Sequence, residues 1–370
     1  MHRARSELEL VEAILEILAD GQFVTSYKFA VLLGLIDLVA EWDPSWEHHP
    51  PVFTTRQLAE RVLEIYWPQT AAWDEHVLIQ GSSGGKREFG GTALTRRILE
   101  TRADLGWTRR SVPVALDKHI DDVWTSLVEE IEWILVEMPL ARLQRVGGTH
   151  RRILYDLGFG IGDEKPSKRE MRKVSRGDAG DFDNAIRLLP GVARTLLRLG
   201  PLLRPLIEAR WIEHVAKLNN LQESNLQAWL FGASRTDLSR VRRPLKKLQN
   251  GRCFYCGERL HSRVDVDHFI PWSRVPNNAL ANLVAAHPSC NGDKSDHLAS
   301  LRHVDAWRAR AEFDRGALED IAGETAWPMD ADRSVKLARG VYVALTDDAR
   351  LWDGKNAWVE HERAAILAAL

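Results

Sequence analysis

Cysteine is scarce in this sequence: three residues in 370, at positions 253, 256 and 290. An odd count with no secretory-type segment argues against a disulfide framework. Their confinement to one short window points to metal ligation instead. Long apolar runs are missing as well. The longest, Phe29 to Ile36, is stopped by Asp37 and is far too short to span a bilayer, so no membrane partner is expected. The opening stretch, MHRARSELELVEAILEILADG, alternates charged and aliphatic residues at helical spacing with no continuous apolar core, and the expected location is cytoplasmic. Net charge is nearly absent: 50 Lys and Arg against 52 Asp and Glu leave −2. The molecule as a whole is no polycation, so any basic surface must be local. Residues 240–300 supply one, with ten Lys or Arg against five Asp or Glu.

What is present is mostly helical patterning. Leu8, Val11, Ile14, Leu15 and Leu18 form one stripe, and Val123, Trp124, Leu127, Val128, Ile131, Ile134 and Leu135 form another. Such stripes predict core-facing amphipathic helices. Thr54 and Thr55 stand where a helix over Gln57–Ile65 would be capped, and Pro201 and Pro205 are expected to break a helix over Gly191–Asn220. The glycine-rich segment Gly81–Gly91 contains Lys86, but only three residues separate Gly81 from Gly85. Arg87 follows where a Walker motif needs Ser or Thr, so a surface turn is expected. These patterns divide the chain into a helical domain over 1–162, a charged loop or boundary over 163–185, a helical connector over 186–240, a distinct module over 241–300 and a helical extension over 301–370.

The chemistry is concentrated between Cys253 and Leu298. Cys253-x-x-Cys256-Gly257 has the shape of a zinc knuckle, and His287-x-x-Cys290 supplies a second half about thirty residues on. Three thiolates and one imidazole make a closed tetrahedral shell suited to structural Zn2+. Between the halves, Val264-Asp265-Val266-Asp267-His268 alternates with period 2, which predicts a short strand with both carboxylates on one face. Asn282-Leu283 follows, and then Asn291-x-x-Lys294 directly after the last cysteine.

The knuckle, the Asp-His pair, the Asn-Leu step and the terminal Cys-Asn-x-x-Lys together resemble the HNH, or ββα-metal, endonuclease superfamily in its zinc-knuckle form, over roughly residues 244–300. The resemblance implies a mainly α protein with a zinc-stapled ββα-metal module near its C-terminal end. It also implies metal-dependent endonucleolytic hydrolysis of DNA, with RNA not excluded. His268 matches the general base, a role that a neutral imidazole can fill. Asp267 and Asn291 match the ligands of a catalytic ion, and their hard oxygen donors favour Mg2+ or Mn2+. Asn282 matches the residue that orients the histidine loop, and Lys294 sits where a cation would help hold phosphate. Two departures stand out: His287 replaces the usual third cysteine, and Asn291 replaces the last histidine of the motif. Asp265 is the alternative carboxylate ligand, and His297 is an alternative to Asn291.

Ahead of the knuckle, Arg240, Arg242, Arg243, Lys246 and Lys247 form a basic run. Pro244 is expected at the first position of a short helix that Gly251 closes. The run serves either as a solvated helix face or as a sequence-independent contact to phosphates. Trp272 could stack on a base or pack in the core. The rival readings are a non-catalytic zinc module that binds nucleic acid, and an RNase. Helical regions attached to such modules serve restriction, anti-phage defence or mobile elements, an analogy of fold alone. A double-strand cut would need two sites and hence, in one arrangement, a dimer.

Overall fold

A computed structural model describes residues 6–19, 25–42, 50–82, 90–108, 110, 112, 118–161, 164–231 and 238–370. Residues 83–89 of the glycine-rich segment lie outside the described residues. The chain divides into two compact units, Met1–Val39 with Trp46–Gly232 and Ala40–Ser45 with Ala233–Leu370. No helix among the described residues is long and apolar enough to cross a membrane.

The first unit contains helices α1 (Glu7–Ala19), α2 (Tyr27–Ala40), α3 (Thr55–Tyr66), α4 (Ala93–Asp104), α5 (Lys118–Glu137), α6 (Pro139–Leu143), α7 (Lys168–Ser175), α8 (Val192–Asn219) and α9 (Glu223–Leu230). Its strands are β1 (Val52–Thr54), β2 (Arg145–Val146), β3 (Thr149–His150), β4 (Tyr155–Leu157) and β5 (Ala185–Leu188); β5 lies between β1 and β4 in an antiparallel sheet, and β2 pairs with β3. Thr54 caps α3 as its sequence suggests, and Gln57 closes a reciprocal capping box. The stripe of α5 is buried at Leu127, Val128, Ile131 and Leu135.

Two expectations are corrected here. The charged segment 163–185 is not all loop, because α7 forms within it. Ser167 and Glu170 make a capping box, Met171 is fully buried, and Lys168 and Arg172 pair with Glu130 while Arg176 pairs with Glu129. The prolines do not break α8, which runs through both Pro201 and Pro205. Each interior proline costs roughly 3 kcal/mol. Burial of Leu203, Ile207, Trp211, Ile212 and Val215 beyond them, at about 1.5–3 kcal/mol for each aliphatic side chain, offsets that cost.

The second unit contains α10 (Ser239–Leu248), β6 (Asp265–His268), β7 (Leu283–Ala286), α11 (Pro288–Lys294), α12 (Leu301–Phe313), α13 (Arg315–Thr325), α14 (Ala331–Val343), β8 (Arg350–Gly354), β9 (Ala357–Glu360) and α15 (Arg363–Ala369). β6 and β7 form an antiparallel pair with Asp267 opposite Val284 and His268 opposite Leu283. The core of this unit joins the two ends of its sequence. Phe269 stacks on Trp307 of α12 with centroids 4.8 Å apart, and Tyr255 meets His303 and Trp352 edge-on. Residues 301–370 therefore fold together with the knuckle region in one unit.

Candidate zinc knuckle and active site

The knuckle begins where Cys253 and Cys256 face each other across a tight turn. Gly257 closes the turn at φ +72°, a left-handed conformation in which a side chain would be strained, and its amide donates to Cys253 O. Pro288 starts α11, which carries Cys290 back to the turn. The sulfurs of Cys253, Cys256 and Cys290 and a ring nitrogen of His287 lie within 4.8 Å of one another. A tetrahedral zinc with bonds near 2.3 Å requires donor separations of roughly 3.8 Å, so this group fits the ion after small adjustments.

The imidazole is also set in the right form. His287 Nε2 lies 3.0 Å from Arg259 O, which can only accept. The proton therefore sits on Nε2, and the lone pair on Nδ1 faces Cys256 Sγ at 3.3 Å and Cys290 Sγ at 3.9 Å. Burial, reinforced by the neighbouring cysteine sulfurs, pushes the Cys290 thiol up to about 12. A soft, doubly charged cation relieves that crowding by holding the sulfurs as thiolates. Among the described residues the three cysteines form no disulfide.

β6 presents Asp265 and Asp267 on one face, and α11 lies across it. Asn291 Nδ2 donates to Asp265 Oδ2 at 3.1 Å, and Lys294 Nζ reaches Asp267 Oδ2 at 3.0 Å. The Tyr255 hydroxyl donates to the same Asp267 oxygen at 2.5 Å. Lys294 is fully buried and also donates to His268 O at 3.1 Å. Expected as a phosphate contact, this ammonium has no exposed surface and is paired to a carboxylate, the placement of an internal strut. Burial pulls its pKa below the ordinary lysine value, and the Asp267 charge opposes that pull.

His268 ends β6. Its Nε2 lies 2.8 Å from Asn278 Oδ1, and its ring meets Trp272 edge-on at 5.5 Å. Burial lowers its pKa below that of a free imidazole; the Asn278 bond and Asp267 oppose the shift, and Lys294 adds to it. Asn282 is fully buried and braces the loop after β6: Oδ1 accepts from Ile270 N at 2.9 Å, and Nδ2 donates to Ile270 O at 3.1 Å and to Asn277 O at 3.0 Å. Between β6 and α11, Asn291 thus meets Asp265 and Lys294 meets Asp267, with His268 at the strand end and Asn282 behind its loop. Asp265, expected as an alternative, belongs to the same cluster. His297 instead packs edge-on against Trp358 at 4.6 Å.

The basic run lies on α10, whose Val241 and Leu245 face inward. Pro244 is inside this helix rather than at its first position. Arg242, Arg243 and Lys247 are exposed, Lys246 Nζ donates to His261 O at 2.8 Å, and Arg240 donates to Thr325 O at 2.5 Å. Gln249, just past the helix, bonds both the amide and the carbonyl of Ala285, which docks α10 beside β7. Sequence reasoning missed Tyr255, Asn278, Trp307 and Arg310. Tyr255 is one of the two spacers of the CxxC motif, and no local signal distinguishes it from any other spacer there.

A Cys3His staple, a two-stranded hairpin ending in Asp-His and a following helix define an HNH-type zinc module. The model of the family described as HNH endonuclease matches residues 253–300. A second family model, described as a domain of unknown function (DUF8808), matches residues 7–230, more than half of the chain, and the protein belongs to that family. No curated protein and no solved structure matches the chain.

Proposed function

We propose that this protein is a metal-dependent endonuclease that hydrolyses DNA phosphodiester bonds, and that the α10–α11 region binds the nucleic acid. The observation that carries the reading is the placement of Asp265 against Asn291 and of Asp267 against Lys294 between β6 and α11, with an imidazole held at Nε2 next along the strand. His268 takes the proton of the attacking water on its remaining ring nitrogen. Asp267 and Asn291 would hold a divalent ion. Asn291 commits its Nδ2 to Asp265 and keeps its amide oxygen as a neutral hard ligand, while Asp267, whose Oδ2 is held by Tyr255 and Lys294, would offer Oδ1. When bound, Mg2+ or Mn2+ supplies charge neutralisation at the phosphoryl group. Asn282 keeps the loop that follows His268 in register through its three bonds. The exposed Arg242, Arg243 and Lys247, with Arg240 and Lys246 beside them, contact phosphates without reading sequence. The first unit selects the target, a partner or a trigger, in keeping with a role in restriction or anti-phage defence.

Purified protein incubated with plasmid DNA or RNA and either ion tests the reading. Cleavage of DNA that disappears in His268→Ala, at unchanged zinc content and melting temperature, is the expected result. A folded His268→Ala protein that cuts at the parent rate removes the assigned base. Cleavage of RNA alone would reassign the substrate, and cleavage of neither would leave a zinc module that only binds.

A further inference from the structure

The loop joining β6 to β7 holds the imidazole through a residue that no motif marks. Asn278 Oδ1 accepts from His268 Nε2 at 2.8 Å. An amide oxygen has no proton to give, so in the neutral ring the hydrogen sits on Nε2 and Nδ1 keeps its lone pair. The opposite amide orientation would reverse this, offering an N–H to Nε2 and moving the proton to Nδ1. The surroundings hold the backbone that carries Asn278. Its backbone carbonyl accepts from Trp327 Nε1 at 2.7 Å. The preceding Asn277 donates from Nδ2 to Ser334 Oγ at 3.0 Å and accepts at Oδ1 from Ala279 N at 2.9 Å, while its carbonyl is taken by Asn282. Further along, Leu280 N donates to Pro328 O at 2.7 Å, and Ala281 O accepts from Trp307 Nε1 at 2.8 Å and Arg310 Nη2 at 2.6 Å. Trp307, Arg310, Trp327, Pro328 and Ser334 all lie beyond residue 300, where the match to the nuclease family ends.

We propose that Asn278 is a positioning residue that fixes the tautomer and orientation of His268, and that Trp327, outside the recognised nuclease segment, sets the position of Asn278. Asn278 touches neither phosphate nor ion in this scheme and acts only through the imidazole. The proposal rests on the nuclease reading for its catalytic consequence, but its structural content can be measured without any substrate.

The experiment is 15N NMR of the full chain labelled at histidine, joined to steady-state kinetics on plasmid DNA. The His268 signals are identified by their loss in His268→Gln. In the parent protein His268 should show the Nε2–H tautomer with a slowly exchanging ring proton. In Asn278→Leu that protected proton should vanish. The kcat should fall about 10²-fold, the lower end of what a positioned base contributes, while KM stays within about 2-fold because no substrate contact is removed. Asn278→Asp keeps an acceptor oxygen and should recover the protected proton and most of the rate. Trp327→Phe keeps the ring but loses the N–H, and should weaken the protection and lower kcat in the same sense. A parent spectrum with the Nδ1–H tautomer overturns the proposal, as does an Asn278→Leu protein that keeps both its protected proton and its kcat. If Asn278→Leu does not fold, the parent spectrum and Trp327→Phe decide the matter. Failure of the parent protein to cleave any nucleic acid would count against the nuclease reading, whereas loss of the effect at Asn278 in a cleaving enzyme would count against this proposal alone.

Discussion

Replacing Lys294 with methionine removes a charge while keeping most of the side chain's apolar stem in place. The ammonium has no exposed surface and makes two short contacts, to Asp267 Oδ2 at 3.0 Å and His268 O at 3.1 Å. Without it, the Asp267 carboxylate, only 8% exposed, keeps the Tyr255 hydroxyl as its remaining partner of this pair. Stranding one member of a buried ion pair costs roughly 3–5 kcal/mol, against about 0–1 kcal/mol for an exposed pair. For a unit of this size each kcal/mol lowers the melting temperature by about 2–4 °C, so the second unit should melt on the order of 10 °C lower. Urea and thermal unfolding of the zinc-loaded protein without added magnesium would read this. The two units are followed as separate transitions, since a single two-state fit does not describe such a chain. Asp267→Asn should be costly too, and the double variant should recover part of the loss, because removing both charges leaves neither stranded. A Lys294→Met protein within about 1 kcal/mol of the parent, with no recovery in the double variant, would refute the buried-strut assignment. A lysine that held phosphate would show the opposite pattern, with unchanged stability and a shallower salt dependence of DNA binding.

Two further outcomes are expected. Cys256→Ser should lower zinc content and the melting temperature of the second unit together. Structural zinc contributes on the order of 10–16 kcal/mol to the folding of small modules, and a variant that keeps both its zinc and its melting temperature would contradict the staple. Glu208 on α8 is raised to about 7 by burial, with Asp37 adding to the shift and Arg204 opposing it. Its folded pKa lies above its unfolded one, so its contribution is complete at pH values below about 4.3 and is lost as pH rises through 7. Glu208→Gln should therefore stabilise the first unit at pH 8, by up to about 3 kcal/mol, and have little effect near pH 4; equal shifts in melting temperature at both pH values would remove the assignment.

The features legible in the sequence are those set by near neighbours. A CxxC followed by glycine makes its turn because the positive φ at Gly257 is needed locally. Alternating Val and Asp place Asp265 and Asp267 on one face of a strand, since side chains alternate every residue. The stripe of α5 and the cap at Thr54 act within a few turns of helix, and both are found where the pattern places them. The capping box Ser167-x-x-Glu170 was equally legible, but the charge around it masked the helix it begins.

Tertiary packing decided the rest. Whether Lys294 points to solvent or into the module depends on where Tyr255 and β6 sit against α11, and nothing within four residues of it carries that information. Pro201 and Pro205 remain inside α8 because the helix face away from them, with Leu203, Ile207, Trp211 and Val215, is buried, an energy the local propensity does not contain. The grip on His268 through Asn278 depends on an indole about fifty residues away. By itself, the sequence determined which donors lie close enough along the chain to share an ion and which segments coil or extend, because turn geometry and side-chain periodicity act over a few residues. The partners of its buried charges and amides were chosen only when distant elements closed over them, since a polar group removed from water must bond to whatever the fold brings within about 3 Å.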